Sequence, residues 1–238
     1  MSDSLQSESL PDVPVGRQTQ AAIVLLSSTL LMITWKYFGS RDFFLENLSE
    51  GHLLYEDRAY SAAIYTHLAA FLLLAVVPLL VVKFVLRHSL REYGLRVGDF
   101  KKGALAVLLL GPVFVLVGYS GSGDGDIREY YPVNPDAQLN YPLHAVMYVL
   151  FFLSWEFHFR GYLQIGLREP LGRMNAILVQ VMASTLIHIG TPACETYMAI
   201  AGGLIWAGLA YRTRSLWPGV ILHAAMGLTV DYLLVYGG

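Results

Sequence analysis

Cysteine is nearly absent: Cys194 stands alone, which excludes an intrachain disulfide framework and a metal site built from several thiolates. Charge is scarce too. Charged residues supply 14% of the chain against 55% hydrophobic ones, and a mean hydropathy of +0.50 places the chain in the membrane class rather than among soluble domains. No long basic block occurs, and the formal net charge of -2 is nearly balanced. A nucleic-acid partner is thereby excluded, and partners are sought in membrane lipid and at its interface. Internal repeats are lacking, as is a His-Glu-x-x-His signature. The first twenty positions carry Ser, Asp, Glu and Pro, with Arg17 the single basic residue. No small-residue cleavage site follows the first apolar run, so residues 1–19 are expected to be a disordered tail before a retained helix, not a signal peptide.

What is present is a series of apolar runs. A spanning helix needs about 20 mostly apolar residues, and seven candidates occur: about Ala21 to Phe38, Tyr60 to Leu86, Gly103 to Tyr119, Pro142 to Leu167, Asn175 to Gly190, Thr196 to Tyr211 and Leu216 to Tyr236. The expected fold is all-α, a polytopic membrane helix bundle with about seven transmembrane helices, forming a single membrane-embedded domain over residues 20–238. Pro78 and Pro112 fall inside spans, where neighbouring helices can satisfy the freed carbonyls. Basic residues bias their loops toward the cytoplasm, and every second loop is basic: Lys83 to Lys102, then Arg168 and Arg173, then Arg212 and Arg214. This alternation predicts a multi-pass protein with a cytoplasmic N-terminus and an outside C-terminus. Between Tyr119 and Pro142, Gly121-Ser-Gly-Asp-Gly-Asp126 reads as a flexible turn leading to an interfacial connector.

Ionisable groups inside spans cost about 2.5 to 3.5 kcal/mol near a helix centre, so each needs a partner, a wet cavity or a function. Glu156, Arg160, His188 and His223 stand out. Glu156 and Arg160 are four apart on one helical face and can pair as carboxylate and guanidinium; taken alone, such a pair could simply fix packing. His188 beside Gly190 and Pro192, or His223 near Pro218, would alone suggest interfacial packing. Together, a carboxylate and two imidazoles from three helices form a set that can activate water, directly or through a metal. His158 points away from the pair, and His52, His67, His88 and His144 lack comparable context.

The stretch Trp155-Glu-Phe-His-Phe-Arg-Gly-Tyr-Leu163 resembles the first motif of the CAAX-protease and bacteriocin-processing (CPBP, or Abi) family, usually two glutamates, three residues, then Arg and Gly. Ser184-Thr-Leu-Ile-His-Ile-Gly190 is similar to the second motif. Gly203 to His223, with its basic turn and Leu216-Trp-Pro218, is similar to the third. Glu92 to Lys102 resembles the family's juxtamembrane segment, so the family-like core covers about residues 90–230. Two positions depart: Trp155 replaces the first glutamate, and Gly227 stands where an Asn or Asp is usual, with Asp231 one turn further on.

The resemblance implies an intramembrane endopeptidase that hydrolyses a peptide bond of a membrane-associated, in some relatives prenylated, peptide. Glu156 would deprotonate a water shared with His188, His223 would donate to the oxyanion, and Arg160 would hold Glu156 ionised. A zinc ion is the cofactor that Glu156, His188 and His223 would suit as three ligands; without the usual signature, the metal-free route is favoured. Depth strains this scheme, since His188 falls near the far end of its span unless that helix begins deeper. The alternative is a family member that lost activity with its first glutamate and acts as a membrane partner or immunity protein. A proton-coupled transporter is disfavoured by the absence of repeats and of paired broken helices.

Overall fold

The computed structural model describes residues 15–51 and 53–237. Most of the expected tail and His52 lie outside the described residues. Each expected span falls on a helix: the first Val15–Phe38, the second Arg58–Val85, the third Phe100–Gly121, the fourth Tyr141–Glu156 running on as the π-helix Phe157–Ile165, the fifth Arg173–Leu186, the sixth Ala193–Thr213 and the seventh Trp217–Tyr236. The protein is an all-α membrane bundle. The first helix starts at Val15, so residues 15–19 are helical and not part of a disordered tail; in sequence, Pro14 is the last helix breaker before the apolar run.

Five of these helices, the first, second, third, sixth and seventh, are long and apolar enough to cross a membrane on their own. The other two depart for different reasons. The fifth has 14 residues, about 21 Å of helix against a hydrocarbon core of about 30 Å, and therefore ends inside the bundle's thickness. The fourth is interrupted by Glu156, His158, Arg160 and Gln164, all buried. From Ser154 to Gln164 every residue is buried, so this helix is the axis of the bundle and meets protein rather than lipid. Polar groups are tolerated there because neighbouring helices supply their partners.

Local chemistry explains where the helices begin. Asp57, Asp99 and Asn140 cap the second, third and fourth helices, their side chains accepting from the backbone N–H groups of Tyr60, Lys102 and Leu143. Pro78 lies between two π segments of the second helix. Its missing N–H frees the carbonyl of Leu74, four residues back, and that carbonyl faces the His158 ring. The other side of His158 meets Ser28 Oγ at 2.7 Å, so His158 ties the first and second helices to the axis as a packing residue. The third and seventh helices pack along each other. A Cβ on Gly118 would stand 2.6 Å from the Met226 carbonyl, and the missing side chain permits this close approach. The opposite face of the third helix exposes Leu105, Leu108, Leu109 and Leu116, as a lipid-facing surface should.

Candidate functional site

The fourth helix brings Glu156 to the bundle centre, where its carboxylate is 1% exposed. His223 Nδ1 donates to Glu156 Oε1 at 2.9 Å, and Arg160 Nη1 lies 3.4 Å from the same oxygen. The second oxygen is sheltered by Gly219, where a Cβ would come within 3.1 Å. Because a carboxylate only accepts, Nδ1 of His223 carries the proton. Its ring is packed between Phe152 and Trp206, with centroids at 4.6 and 5.3 Å, and the Trp206 indole N–H donates to the Gly219 carbonyl. The π turns that follow Glu156 carry Arg160. Wide turns of this kind occur often at functional sites, and here Glu156 and Arg160 remain one turn apart in pairing distance.

His188 follows the end of the fifth helix, and its helix is short enough to leave it within the bundle. His188 touches Trp155, the neighbour of Glu156, with ring centroids 5.2 Å apart. Yet His188 is not hydrogen-bonded to Glu156 or His223. Its Nδ1 meets the Ser184 carbonyl at 2.5 Å, and its Nε2 faces Glu195 Oε1 at 3.8 Å. The structure thus brings together Glu156, Arg160 and His223, and places His188 beside them with a different carboxylate.

The two departures from the family pattern are both filled by aromatic rings. Trp155 is 5% exposed and stands edge-on to His188, centroids 5.2 Å apart, in a stack with Trp35, Phe151 and Phe159. At Gly227, the Phe152 ring occupies the space a side chain would take. Asp231 does not come to His223; its carboxylate is buried at 2.9 Å from His144 Nε2, in a separate cluster with His67 and Tyr148. His144, to which the sequence assigns no role, is therefore a structural partner.

A zinc ion does not fit the expected ligand set. Glu156 Oε1 is already shared by His223 and a guanidinium, while His188 turns to Ser184 and Glu195. Among the described residues no group of three or more His, Cys, Asp or Glu side chains is arranged to hold a metal.

Glu195 is a residue to which the sequence pattern drew no attention. It lies in the first turn of the sixth helix, and Tyr131 donates to its two oxygens at 3.1 and 3.2 Å. Tyr131 belongs to the segment expected to be a plain connector, which instead folds a short helix, Gly125–Tyr130, and turns its next residue inward. Burial, then the Glu195 charge, pushes the Tyr131 phenol well above its ordinary range, so it stays a donor at any working pH. The signal available in the sequence was the pattern of His188 followed seven residues later by an acid at a helix start.

Residues 137–229 match the model of a family described as Type II CAAX prenyl endopeptidase Rce1-like. No curated protein and no solved structure matches the chain. The matched stretch contains Glu156, Arg160, His188, Glu195 and His223, in agreement with the resemblance read from the motifs. It leaves Glu92 to Lys102 outside.

Proposed function

We propose, from the match of residues 137–229 to the Rce1-like CAAX prenyl endopeptidase family, that the chain is an intramembrane endopeptidase hydrolysing a peptide bond in a membrane-associated, lipid-modified peptide. The observation that carries this proposal is the polar centre sealed within the bundle, Glu156 hydrogen-bonded to His223 at 2.9 Å and ion-paired with Arg160. A buried charge cluster of this kind is expensive in a membrane protein and calls for a function.

In this scheme His223 is the electrophilic partner. The Glu156 carboxylate fixes its orientation and stabilises its imidazolium, leaving Nε2–H to donate to the oxyanion that forms on the scissile carbonyl. The His223 side chain is 19% exposed, against 1% for Glu156, so substrate can reach the first and not the second. Arg160 sets its guanidinium 3.4 Å from the Glu156 carboxylate as its counter-charge. His188 positions the attacking water. The basic residues in every second loop favour a cytoplasmic N-terminus and an outside C-terminus.

The test uses the full chain reconstituted in phosphatidylcholine vesicles with an internally quenched peptide ending in a farnesylated CAAX sequence. Cleavage should be seen, and His223→Ala should slow it by about 100-fold or more, the scale of losing one oxyanion donor. Undiminished cleavage by His223→Ala would remove this centre from the chemistry.

A second reading, a non-catalytic membrane partner or immunity protein, has specific support in the rings of Trp155 and Phe152, which occupy the two positions where the family pattern carries polar groups. It predicts no cleavage of the peptide by the wild-type chain.

A further inference from the structure

Glu156 is poorly placed to activate water. It is 1% exposed, one oxygen is taken by His223 and Arg160, and the other lies against Gly219. The carboxylate at the usual first-glutamate position is missing, and Trp155 fills its place beside His188. A general base must come within hydrogen-bond reach of the water it deprotonates, so if this centre hydrolyses anything, another carboxylate has to serve His188.

We infer that this carboxylate is Glu195, and that His188 and Glu195 together hold and deprotonate the hydrolytic water. The inference rests on the peptidase function proposed above and names the base for it. His188 Nε2 and Glu195 Oε1 are 3.8 Å apart. That is beyond direct hydrogen bonding, yet one water about 2.8 Å from each atom fits between them. Their side chains are 16% and 27% exposed against 1% for Glu156, so the pair is the more accessible of the two.

The surroundings hold the pair in position. The Ser184 carbonyl takes the Nδ1 proton of His188, which leaves Nε2 as an acceptor toward the water. Tyr131 fixes both Glu195 oxygens from the connector before the fourth helix, and Thr191 adds a side-chain hydrogen bond. Thr196 Oγ1 donates to the His188 carbonyl at 3.1 Å, tying the loop to the start of the sixth helix. Lys36 Nζ, at the end of the first helix, reaches the Ile187 carbonyl and brings a cation to the same loop. An acid serving the helix dipole alone would need neither the imidazole nor the phenol, and would face solvent.

The chemistry balances with these groups. A water proton passes to Glu195 as the water oxygen bonds to the peptide carbonyl carbon, and the carbonyl electron pair moves to the oxygen held by His223 Nε2–H. Collapse restores the C=O bond and breaks the C–N bond, and the leaving nitrogen takes the proton from Glu195. One peptide bond and one water give one carboxylic acid and one amine.

The experiment uses the same vesicles and farnesylated peptide. Glu195→Gln should lower kcat by at least 100-fold with KM within about threefold, the contribution of a general base, while the melting temperature in detergent stays that of the wild type. Combining Glu195→Gln with His188→Gln should be no slower than either alone, as for residues that act as a unit. A wild-type kcat in Glu195→Gln, or multiplicative losses in the double variant, overturns the Glu195 base while the peptidase function stands. If Glu195→Gln unfolds, Glu195→Asp decides: a fall in kcat of tenfold or more at unchanged KM supports the dyad, and an unchanged kcat overturns it. A wild-type chain that leaves the peptide intact overturns the peptidase function and the dyad with it.

Discussion

The Trp155 indole stands edge-on to the His188 imidazole, ring centroids 5.2 Å apart and planes at 77°. The indole is part of the aromatic core. Its neighbours are Trp35, Phe151 and Phe159 on the first and fourth helices. Trp155→Ala should therefore destabilise the bundle by about 3 kcal/mol or more, the scale of emptying a large aromatic site, and Trp155→Phe by much less. Unfolding of the two variants in mixed micelles measures the difference; equal stability of Trp155→Ala and wild type would show that the indole is not a packing residue.

Gly227 and Phe152 are coupled in the same way. A Cβ at position 227 would lie 2.3 Å from Phe152 Cζ, well inside contact distance. Restoring the family's usual residue by Gly227→Asn should thus lower the yield of folded protein and the melting temperature, and Phe152→Ala in the same chain should recover most of the loss. The non-additivity is the readout, and simple addition of the two effects would deny the contact.

Arg160 is 3% exposed and has Glu156 as its counter-charge. Glu156→Gln leaves the guanidinium buried without an opposite charge, which should cost about 3 to 5 kcal/mol. Replacing both, as Glu156→Gln with Arg160→Met, should restore much of the stability without restoring cleavage. Chemical denaturation of the single and double variants, run beside the peptide assay, separates the structural from the catalytic contribution. A double variant no more stable than Glu156→Gln would argue against the pair.

The His144 and Asp231 pair lies apart from Glu156 and His223, and both side chains are buried. Asp231→Asn should lower stability by roughly 1 to 3 kcal/mol, the cost of weakening a buried charged hydrogen bond. Cleavage per folded molecule should stay within about threefold of the wild type. A selective loss of kcat at full stability would place Asp231 at the oxyanion instead.

Much of this architecture is present in the one-dimensional pattern. Apolar runs bounded by Asp57, Asp99 and Asn140 mark helices because burial in lipid demands that each segment satisfy its own backbone, and caps settle where it starts. Glu156, Arg160, His188 and His223 are conspicuous for the same reason, being polar groups where hydrocarbon penalises them. The family motif adds order and spacing, and the match over residues 137–229 agrees with it.

Other features depend on distances through space that no spacing encodes. The motifs group His188 with Glu156 in one expected site, but the fold turns it toward Glu195, an acid that nothing in the sequence sets apart. Asp231 looks like a substitute for a missing polar group until His144, 87 positions away, is found against it. Helix identity follows from hydropathy, which is a property of each segment alone. Partner choice among buried charges follows from the rotation and depth of several helices at once, and here the short fifth helix and the rings of Trp155 and Phe152 decided it.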